Sequence, residues 1–316
     1  MKDLNIFFYK SIALLIMLFI VDFLVGKASV FILTIQNDGR YYKCQYTLEK
    51  SKDEIIIIGS SRAEINYNPA AFSKVLSMSC WNAGSAGQSF IYFYAIENVI
   101  LNRYSPKLII LNLDQDVFEG APDFNRMSIL RPFAKFHPDL YNILSQKDYF
   151  EKYKLHSNIY ACNSIMFYLL KPFFFKNKEG KPGDNGWKPR ADIVSTQIIY
   201  RDSINRISAH RNKFNPKTML LFNEMLDLAK QKKTEIIVAI APDYFPLADK
   251  SPSIEQIKNI CTKKNIAVFD FTSDSALIRK QKYFADPQHL NCKGATVFSN
   301  MLANKINVSL KISDKK

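Results

Sequence analysis

Five short runs of aliphatic residues constrain this chain more than any other feature. Each is only five to eight residues long, most are rich in Ile, Val or Leu, and polar or helix-like segments separate them. Near-continuous apolar runs of this length are typical of strands that are buried on both faces of a parallel sheet. The predicted strands occupy residues 54–58, 78–83, 107–113, 234–241 and 266–271.

Helix-like segments lie between the predicted strands. Asn68 followed by Pro69 is a favourable cap and first-turn pair for a helix through residue 75. Other helical segments are predicted at residues 88–103, 219–233, 253–264 and 293–306. The alternation predicts an α/β fold with a doubly wound, mainly parallel five-stranded sheet, whose ligands meet the carboxyl ends of the strands.

The pattern divides the chain into four parts. We expect residues 1–35 to form an N-terminal membrane anchor or signal, and residues 36–53 to form a polar connector. Residues 54–117 and 217–310 carry the α/β pattern. Residues 118–216 interrupt it with an aromatic, basic segment that shows no strand alternation, which predicts a mostly helical inserted cap or lid.

The N-terminal apolar segment has three interpretations. Its central run, residues 11–26, is short for a membrane span, but apolar residues extend it on both sides, and Lys2 and Lys10 precede it. This order favours an anchor with the bulk of the chain outside the cytoplasm. A signal cleaved near Gly26-Lys27-Ala28 and a buried soluble helix remain alternatives. Asp22 is costly in lipid unless it lies near an interface.

The charge and cysteine content of the chain limit the kinds of ligand that we expect it to bind. The formal net charge is +14, but the lysines are scattered and no nucleic-acid-binding motif accompanies them, so we expect no nucleic-acid partner. The five cysteines form no CxxC pair and no cluster with metal-ligand spacing, so we expect neither a metal site nor a cofactor.

Two distant segments supply the candidate chemistry. The first predicted strand runs into Gly59-Ser60-Ser61, a small-residue turn that exposes a serine. Near the end of the chain, Asp286 precedes His289 by three residues in what we expect to be a loop. A nucleophilic serine, an imidazole base and an orienting carboxylate are the set required for acyl transfer. We therefore predict Ser61, His289 and Asp286 as catalytic residues.

These residues resemble the SGNH (GDSL-like) hydrolase and acyltransferase superfamily, in particular its membrane-anchored bacterial members that modify cell-surface polysaccharides. Gly59-Ser60-Ser61 is similar to the first block, Gly-Asp-Ser, with Ser60 in place of the aspartate. Asp286-Pro287-Gln288-His289 is similar to the final block, and Leu290, Asn291 and Gly294 continue the likeness. The resemblance implies a flavodoxin-like sheet.

The second and third blocks concern the oxyanion hole. Residues 82–89 resemble the second block, which implies a backbone N–H donor at Gly87, with Gly84 as the alternative, beside the N–H of Ser61. The third block should read Gly-x-Asn-Asp after the third strand, but here Leu113-Asp114-Gln115-Asp116 stands in its place. Gln115 is therefore the candidate for the third donor.

Three further residues are candidate substrate contacts: Arg62, Asn291 and Trp187. Arg62 lies next to the nucleophile and either contacts an anionic substrate group or pairs with a nearby carboxylate. Trp187 either stacks on a sugar ring or packs the insertion against the core.

The resemblance implies an extracytoplasmic, membrane-anchored serine esterase or O-acyltransferase that acts on an acyl group, with acetyl favoured, of a cell-surface polysaccharide. Its partners would be a carbohydrate or other acylated substrate, the bacterial membrane and an integral-membrane acyl donor. A catalytically inactive polysaccharide-binding or assembly protein is the alternative, supported by the altered third block. A phosphate-binding α/β protein is a weaker alternative because it gives Asp286 and His289 no role.

Overall fold

The computed structural model describes residues 2–163, 184–205, 214–245 and 252–313, together with Phe174. Part of the predicted insertion, residues 118–216, therefore lies outside the described residues. The same holds for the lysines at the end of the chain.

The central element is a five-stranded parallel sheet with the order β2-β1-β3-β4-β5. Its strands are β1 (Ile55–Ile58), β2 (Cys80–Asn82), β3 (Leu108–Asn112), β4 (Glu235–Ile240) and β5 (Val268–Asp270). This confirms the predicted doubly wound, mainly parallel sheet, and the order is the flavodoxin-like one. Each strand falls within its predicted segment and is shorter than it.

The alternation of side chains along β1 shows why both sheet faces are covered. All four isoleucines of β1 are fully buried. Ile56 and Ile58 belong to one apolar cluster, whereas Ile55 and Ile57 belong to a second. Because neighbouring side chains of a strand point to opposite faces, β1 contributes to two cores at once.

Helices supply the rest of both cores. One face is covered by α5 (Phe90–Arg103), α10 (Pro216–Gln231) and α11 (Pro252–Lys263). The other is covered by α4 (Pro69–Leu76) and α12 (Cys292–Ser313), whose Phe72 and Phe298 are fully buried. The short helix α3 (Ser61–Asn66), which follows β1 directly, was not predicted from the sequence.

The remaining helices lie in the connector and the insertion. The connector contains α2 (Gly39–Gln45) and a short π-helix (Tyr46–Lys50), and it buries Cys44 and Leu48 against the core. The insertion contributes a 3-10 helix (Phe124–Phe133), α6 (Pro138–Ser145), α7 (Glu151–Lys154), α8 (Asn158–Cys162) and α9 (Thr196–Asn205).

The N-terminal helix α1 (Lys2–Ile35) is long and apolar enough to cross a membrane, with a mean hydropathy of 2.3 over its best window. Length and composition of this kind fit an anchor and a signal sequence equally. Residues 3–10 and 12–21 of α1 are exposed, whereas Ser29 and Leu33 are buried against the rest of the protein. The first part of α1 thus projects from the fold, and the second part packs on it.

Asp22 lies at the boundary between these two parts of α1. Its carboxylate accepts hydrogen bonds from the Ser157 hydroxyl, the Asn158 amide and side chain, and the Ile159 amide, at distances of 2.6–3.0 Å. These groups are at the start of α8, so Asp22 caps a helix of the insertion. The hydrogen bonds explain how an acid is accommodated in an otherwise apolar helix.

Glu97, on the buried face of α5, generates a stability prediction. The residue is fully buried, neither carboxyl oxygen has a hydrogen-bond partner among the described residues, and burial raises the pKa of Glu97 well above its usual range. The folded state therefore holds a proton that the unfolded chain loses above about pH 4, so this contribution to stability falls as pH rises. We expect Glu97→Met to increase the free energy of unfolding by about 1–3 kcal/mol at pH 8 and by less at pH 4.

Thermal unfolding of the full chain in detergent at several pH values measures this effect. The matched control is Glu235→Gln, which changes an exposed acid at the start of β4 and should leave stability nearly unchanged. A benefit of Glu97→Met that is the same at pH 4 and pH 8 would contradict the prediction.

Candidate active site

The candidate nucleophile stands at the carboxyl end of β1. Gly59 allows the turn because a side chain there would meet Ala63 and Asn112 at less than 3 Å. The Ser60 hydroxyl accepts a hydrogen bond from the Arg62 amide and so caps α3. Ser61 is therefore the first residue of α3, a position at which the backbone N–H has no carbonyl partner within the helix.

The Asp-His segment forms a small hairpin rather than the predicted loop. Strand β6 (Phe284–Asp286) pairs antiparallel with β7 (His289–Leu290), and Asp286 lies opposite His289. The Asp286 carboxylate accepts the backbone N–H groups of Gln288 and His289 at 2.9 and 3.0 Å. These two backbone hydrogen bonds hold the Asp286 carboxylate in place independently of its contact with the imidazole.

Three side chains form a continuous hydrogen-bonded chain. His289 Nε2 lies 2.9 Å from Ser61 Oγ. His289 Nδ1 lies 2.9 and 3.0 Å from the two carboxyl oxygens of Asp286. When Nδ1 donates to the carboxylate, Nε2 is left as the acceptor for the serine hydroxyl. The structure thus brings the three predicted catalytic residues together, while their role in a reaction remains a prediction.

A short hydrogen-bond network holds the hairpin against α3. The Leu290 amide donates to Asn66 Oδ1 at 2.9 Å, which joins β7 to the end of α3. Asn291 donates to the Lys282 carbonyl and accepts the Gly294 amide. Because Asn291 is buried and both ends of its amide are used in this way, the structure gives it a positioning role rather than the expected contact with substrate.

Arg190 also reaches the candidate site, and no sequence motif indicated it. Its guanidinium donates to Asp286 Oδ2, and it pairs with Asp192 on the solvent side. Burial by itself would raise the pKa of Asp286, but the hydrogen bond and charge of His289, the Gln288 amide and the Arg190 guanidinium together lower it well below its usual range. The acid is therefore held as a carboxylate.

Arg190 belongs to a segment, residues 184–194, that returns from the insertion and is bound along the sheet edge. The Asn185 carbonyl accepts the Asn82 amide, the Lys188 amide donates to the Glu64 carbonyl, and the Arg190 carbonyl accepts the Cys292 amide. Gly186 is required in this segment, since a side chain there would collide with the Asn82 carbonyl and its φ is +77°. These contacts link the insertion to β2, α3 and the start of α12.

The two candidate glycines of the oxyanion hole differ in what their N–H groups do. The Gly84 amide donates to Asn82 Oδ1 at 2.9 Å, so it is occupied. Gly87 has a positive φ of +73° and open space on its side-chain face. The turn that contains it is tied to the nucleophile by the Ser85 amide, which donates to the Gly59 carbonyl. Because the Gly84 N–H is already bonded, Gly87 is the remaining candidate of the two.

Gln115 and Arg62 are engaged in a buried cluster. Gln115 Nε2 donates to Asp243 Oδ2 at 2.8 Å. Arg62 is buried, lies 3.0 Å from Asp243 and 3.8 Å from Asp114, and donates to the Ala241 carbonyl. The structure therefore favours the carboxylate-pairing interpretation of Arg62, and Gln115 shares Asp243 with it.

Trp187 packs partly against the core. Its indole N–H donates to the Ile65 carbonyl at 2.7 Å, and its ring contacts the apolar cluster on the α4 and α12 face. Trp187 also lines a cavity of about 150 Å³ together with Glu64 and Lys188. Both interpretations of Trp187, packing and substrate contact, are compatible with this position.

No cluster of three or more His, Cys, Asp or Glu side chains suited to a metal ion occurs in the part of the chain that the structure describes. The five cysteines are free thiols, and four of them are buried.

The Arg190–Asp286 pair generates a prediction about stability. A lowered pKa means that the Asp286 carboxylate stabilises the fold above about pH 4 and that this contribution is lost as pH falls through the folded-state pKa. We expect Arg190→Met to lower the free energy of unfolding by about 1 kcal/mol at pH 7. The gap to the parent protein should close below about pH 4. Urea unfolding of the full chain in detergent across this range measures both effects.

Asp192→Asn is the matched control, because it removes the exposed partner of Arg190 and leaves Asp286 untouched. It should change stability little. A difference between Arg190→Met and the parent that persists unchanged at low pH would show that Arg190 contributes through packing alone.

Comparisons with known proteins matched solved structures at low identity. Neither a family model nor a curated protein matches the chain. A lipolytic protein of the G-D-S-L family from Desulfitobacterium hafniense is 12% identical, with a TM-score of 0.40, over 79% of this chain and 97% of that one. An acylhydrolase from Bacteroides fragilis is 14% identical, with a TM-score of 0.39, over 84% and 94% of the two chains.

A third similar structure is a GDSL-like lipase from Bacteroides thetaiotaomicron, 10% identical with a TM-score of 0.34, over 90% of this chain and 98% of that one. Scores and identities this low do not by themselves decide the fold. The assignment depends instead on the chain's own features, namely the sheet order β2-β1-β3-β4-β5, a serine at the end of β1 and an Asp-His pair just before the last helix. These features are similar to those that the sequence motifs indicated, namely the sheet and site arrangement of the SGNH (GDSL-like) hydrolases.

Proposed function

We propose that the protein is an extracytoplasmic serine esterase or O-acyltransferase, anchored in a membrane by α1. In this proposal it acts on an ester-linked acyl group, with acetyl favoured, of a cell-surface polysaccharide. The observation that carries the proposal is the hydrogen-bonded chain from Ser61 Oγ through His289 to Asp286. A serine within 2.9 Å of an imidazole that is itself oriented by a carboxylate is the arrangement that activates a weak nucleophile.

The proposed reaction has two stages. Ser61 Oγ attacks the ester carbonyl carbon while His289 Nε2 takes the hydroxyl proton, and Asp286 stabilises the imidazolium that forms. The tetrahedral intermediate collapses, His289 returns the proton to the leaving alkoxide, and an acyl-serine remains. Water or a sugar hydroxyl then attacks the acyl-serine and gives its proton to His289. The second tetrahedral intermediate collapses to release the free acid or the acylated sugar, and His289 returns the proton to Ser61 Oγ.

The developing oxyanion needs preorganised donors. The Ser61 N–H at the first position of α3 and the Gly87 N–H are the two that the geometry supports. Both are backbone groups, so they need little reorganisation during the reaction. Gln115 Nε2 donates one N–H to Asp243, and its second N–H is the candidate third donor in this proposal.

A cleft beside these blocks fits a polar substrate. It has a volume of about 480 Å³ and is lined by residues of the second and third motif blocks, among them Gln88, Ser89, Asp114 and Asp116. Amide, hydroxyl and carboxylate groups of this kind bind sugar hydroxyls through hydrogen bonds. This lining supports a carbohydrate as the acyl carrier or acceptor.

Hydrolysis and transfer share the same acyl-serine, so the choice between them depends on what reaches it. Lys2 and Lys10 before the apolar run of α1 support a cytoplasmic N-terminus and an extracytoplasmic site. An acyltransferase in that location needs a donor, and we propose an integral-membrane acyl-donor partner. With α1 as an anchor, the protein and such a partner would share one membrane.

One observation favours a second function. The third block reads Leu113-Asp114-Gln115-Asp116 in place of Gly-x-Asn-Asp, so this chain lacks the Asn that the resemblance implies as the third oxyanion donor. Loss of a single donor lowers rates about a hundredfold or more in enzymes that depend on it. A catalytically inactive SGNH-like polysaccharide-binding or assembly protein is therefore the alternative.

Covalent labelling with a fluorophosphonate probe separates these two functions. We expect the full chain in detergent to label, and Ser61→Ala to lose the label completely, because Ser61 Oγ is the only hydroxyl at hydrogen-bonding distance from His289 in the described residues. The control is Ser60→Gly at the neighbouring serine. Glycine is tolerated at helix caps, so this variant should fold and retain labelling.

Failure of the well-folded parent protein to label would contradict the enzymatic proposal and support the binding protein. Labelling that survives in Ser61→Ala but disappears in Ser60→Gly would show that the nucleophile has been misassigned. Hydrolysis of p-nitrophenyl acetate by the same preparations then tests acyl transfer to water.

A further inference from the structure

An exposed group of aromatic and aliphatic side chains lies on the insertion and has no role in the proposed chemistry. Tyr149, Phe150, Tyr153 and Ile159 are 72%, 63%, 55% and 42% exposed. They lie in and around α7 and at the start of α8. Together with Lys152 we call them the aromatic-lysine face. Several large apolar side chains exposed side by side usually mark an interaction surface.

This face lies beside the point at which α1 leaves the fold. Asp22 of α1 binds the start of α8 through four hydrogen bonds. Gly26 of α1 lies so close to Asn158 that a side chain at this glycine would meet it at 2.5 Å. Because α1 is clamped to α8 at these positions, the direction of α1 relative to the aromatic-lysine face is fixed.

The exposed part of α1 has the length of a bilayer core. Residues 3–21 are exposed except for the partly buried Ser11, and a helix of this length spans about 28 Å. The hydrocarbon core of a bilayer is about 30 Å thick. If this part is embedded, Asp22 and the start of α8 come to the level of the bilayer surface.

The charges of the face suit an anionic surface. The Lys152 ammonium lies over the rings of Tyr149 and Tyr153, at 5.4 and 4.9 Å from their centroids. No carboxylate pairs with Lys152 among the described residues. Lys147 and Lys154 lie on the same short stretch of chain, but they pair with Glu151 and Asp148. Lys152 is therefore the lysine of this stretch whose charge is available to an anionic surface.

We propose that the aromatic-lysine face rests on the surface of the bilayer that α1 enters, with its rings among the lipid headgroups and Lys152 on anionic lipid phosphates. Tyrosine and lysine side chains favour this interfacial region because each combines an apolar part with a polar end. Attraction between lysines and anionic lipids adds to the burial of the rings. The inference extends the anchoring role of α1 in the proposed function and depends on it.

The consequence is a second attachment of the fold to the membrane. A single helix allows the soluble part to tilt and rotate. Contact through the aromatic-lysine face would fix its orientation, and with it the height of the Ser61 site above the lipid. Ser61 would then meet its acyl donor and acceptor at a constant distance from the bilayer.

Fluorescence quenching by brominated lipids tests the proposal on the full chain in nanodiscs. Three tryptophan variants are compared with the parent, whose Trp81 and Trp187 provide a constant background. Phe150→Trp reports on the face. Phe19→Trp reports on the exposed part of α1, and Leu220→Trp on α10 places an exposed tryptophan on an element that packs against α5.

We expect bromines near the headgroup end of the acyl chains to quench Phe150→Trp about twofold more than Leu220→Trp. Replacing neutral lipids by phosphatidylglycerol should increase this quenching, and adding Lys152→Glu should remove about half of the increase. Phe19→Trp should be quenched in both lipids.

Quenching of Phe19→Trp without quenching of Phe150→Trp would overturn the proposal and leave α1 as the anchor. Absence of quenching for both variants would overturn the anchor and the face together. Shielding of Phe150→Trp that rises with protein concentration and is indifferent to bromolipid would identify a second copy of the chain as the occupant, which also overturns it. Fluorophosphonate labelling of the same nanodiscs reports on Ser61 independently, so a failure of the face is distinguishable from a failure of the enzyme.

Discussion

The position of β1 at the interior of the sheet is the constraint on which the candidate site depends. Four fully buried isoleucines pair with β2 on one side and β3 on the other, and they contribute to both cores. A shift of β1 by one residue would exchange the two faces, so the register is strongly determined. Because Ser61 follows β1 after only two residues, the hydrophobic core sets the position of its hydroxyl.

Two arginine-carboxylate ion pairs lie near Ser61, one on each side. On one side, Arg190 binds Asp286, whose other contacts are to His289 and to two backbone amides. On the other side, Arg62 pairs with Asp243 and approaches Asp114. The first contact keeps the orienting acid charged, while the second compensates for carboxylates that would otherwise lie uncompensated near the nucleophile.

Sequence reasoning was most effective where a local pattern determines the structure. The aliphatic runs predicted every strand of the parallel sheet, and the motif blocks selected the serine, the histidine and the aspartate that the structure brings together. It missed α3, which has only six residues and lacks a clear apolar period. It also missed the β6–β7 hairpin. Pro287-Gln288 is typical of a loop, and the sequence does not show that Asp286 and His289 pair across it.

The contacts that could not be predicted from the sequence are those between residues far apart in the chain. Arg190 reaches Asp286 across 96 residues, and Gln115 reaches Asp243 across 128. No periodicity or spacing encodes such pairs, because they depend on how the insertion returns to the sheet. For the same reason the sequence left Arg62 with two interpretations, and only the fold shows which carboxylates surround it.

The hydrogen bonds between Asp22 and the start of α8 have a consequence for cleavage of the N-terminal segment. A protease that cut near Gly26-Lys27-Ala28 would remove Asp22 and leave the Ser157 hydroxyl and the Asn158 and Ile159 amides without their acceptor. The remaining part of α1 would then stay packed on the rest of the protein only through buried residues such as Ser29 and Leu33. Retention of the whole helix therefore suits the folded protein, in which α1 also serves as a structural part.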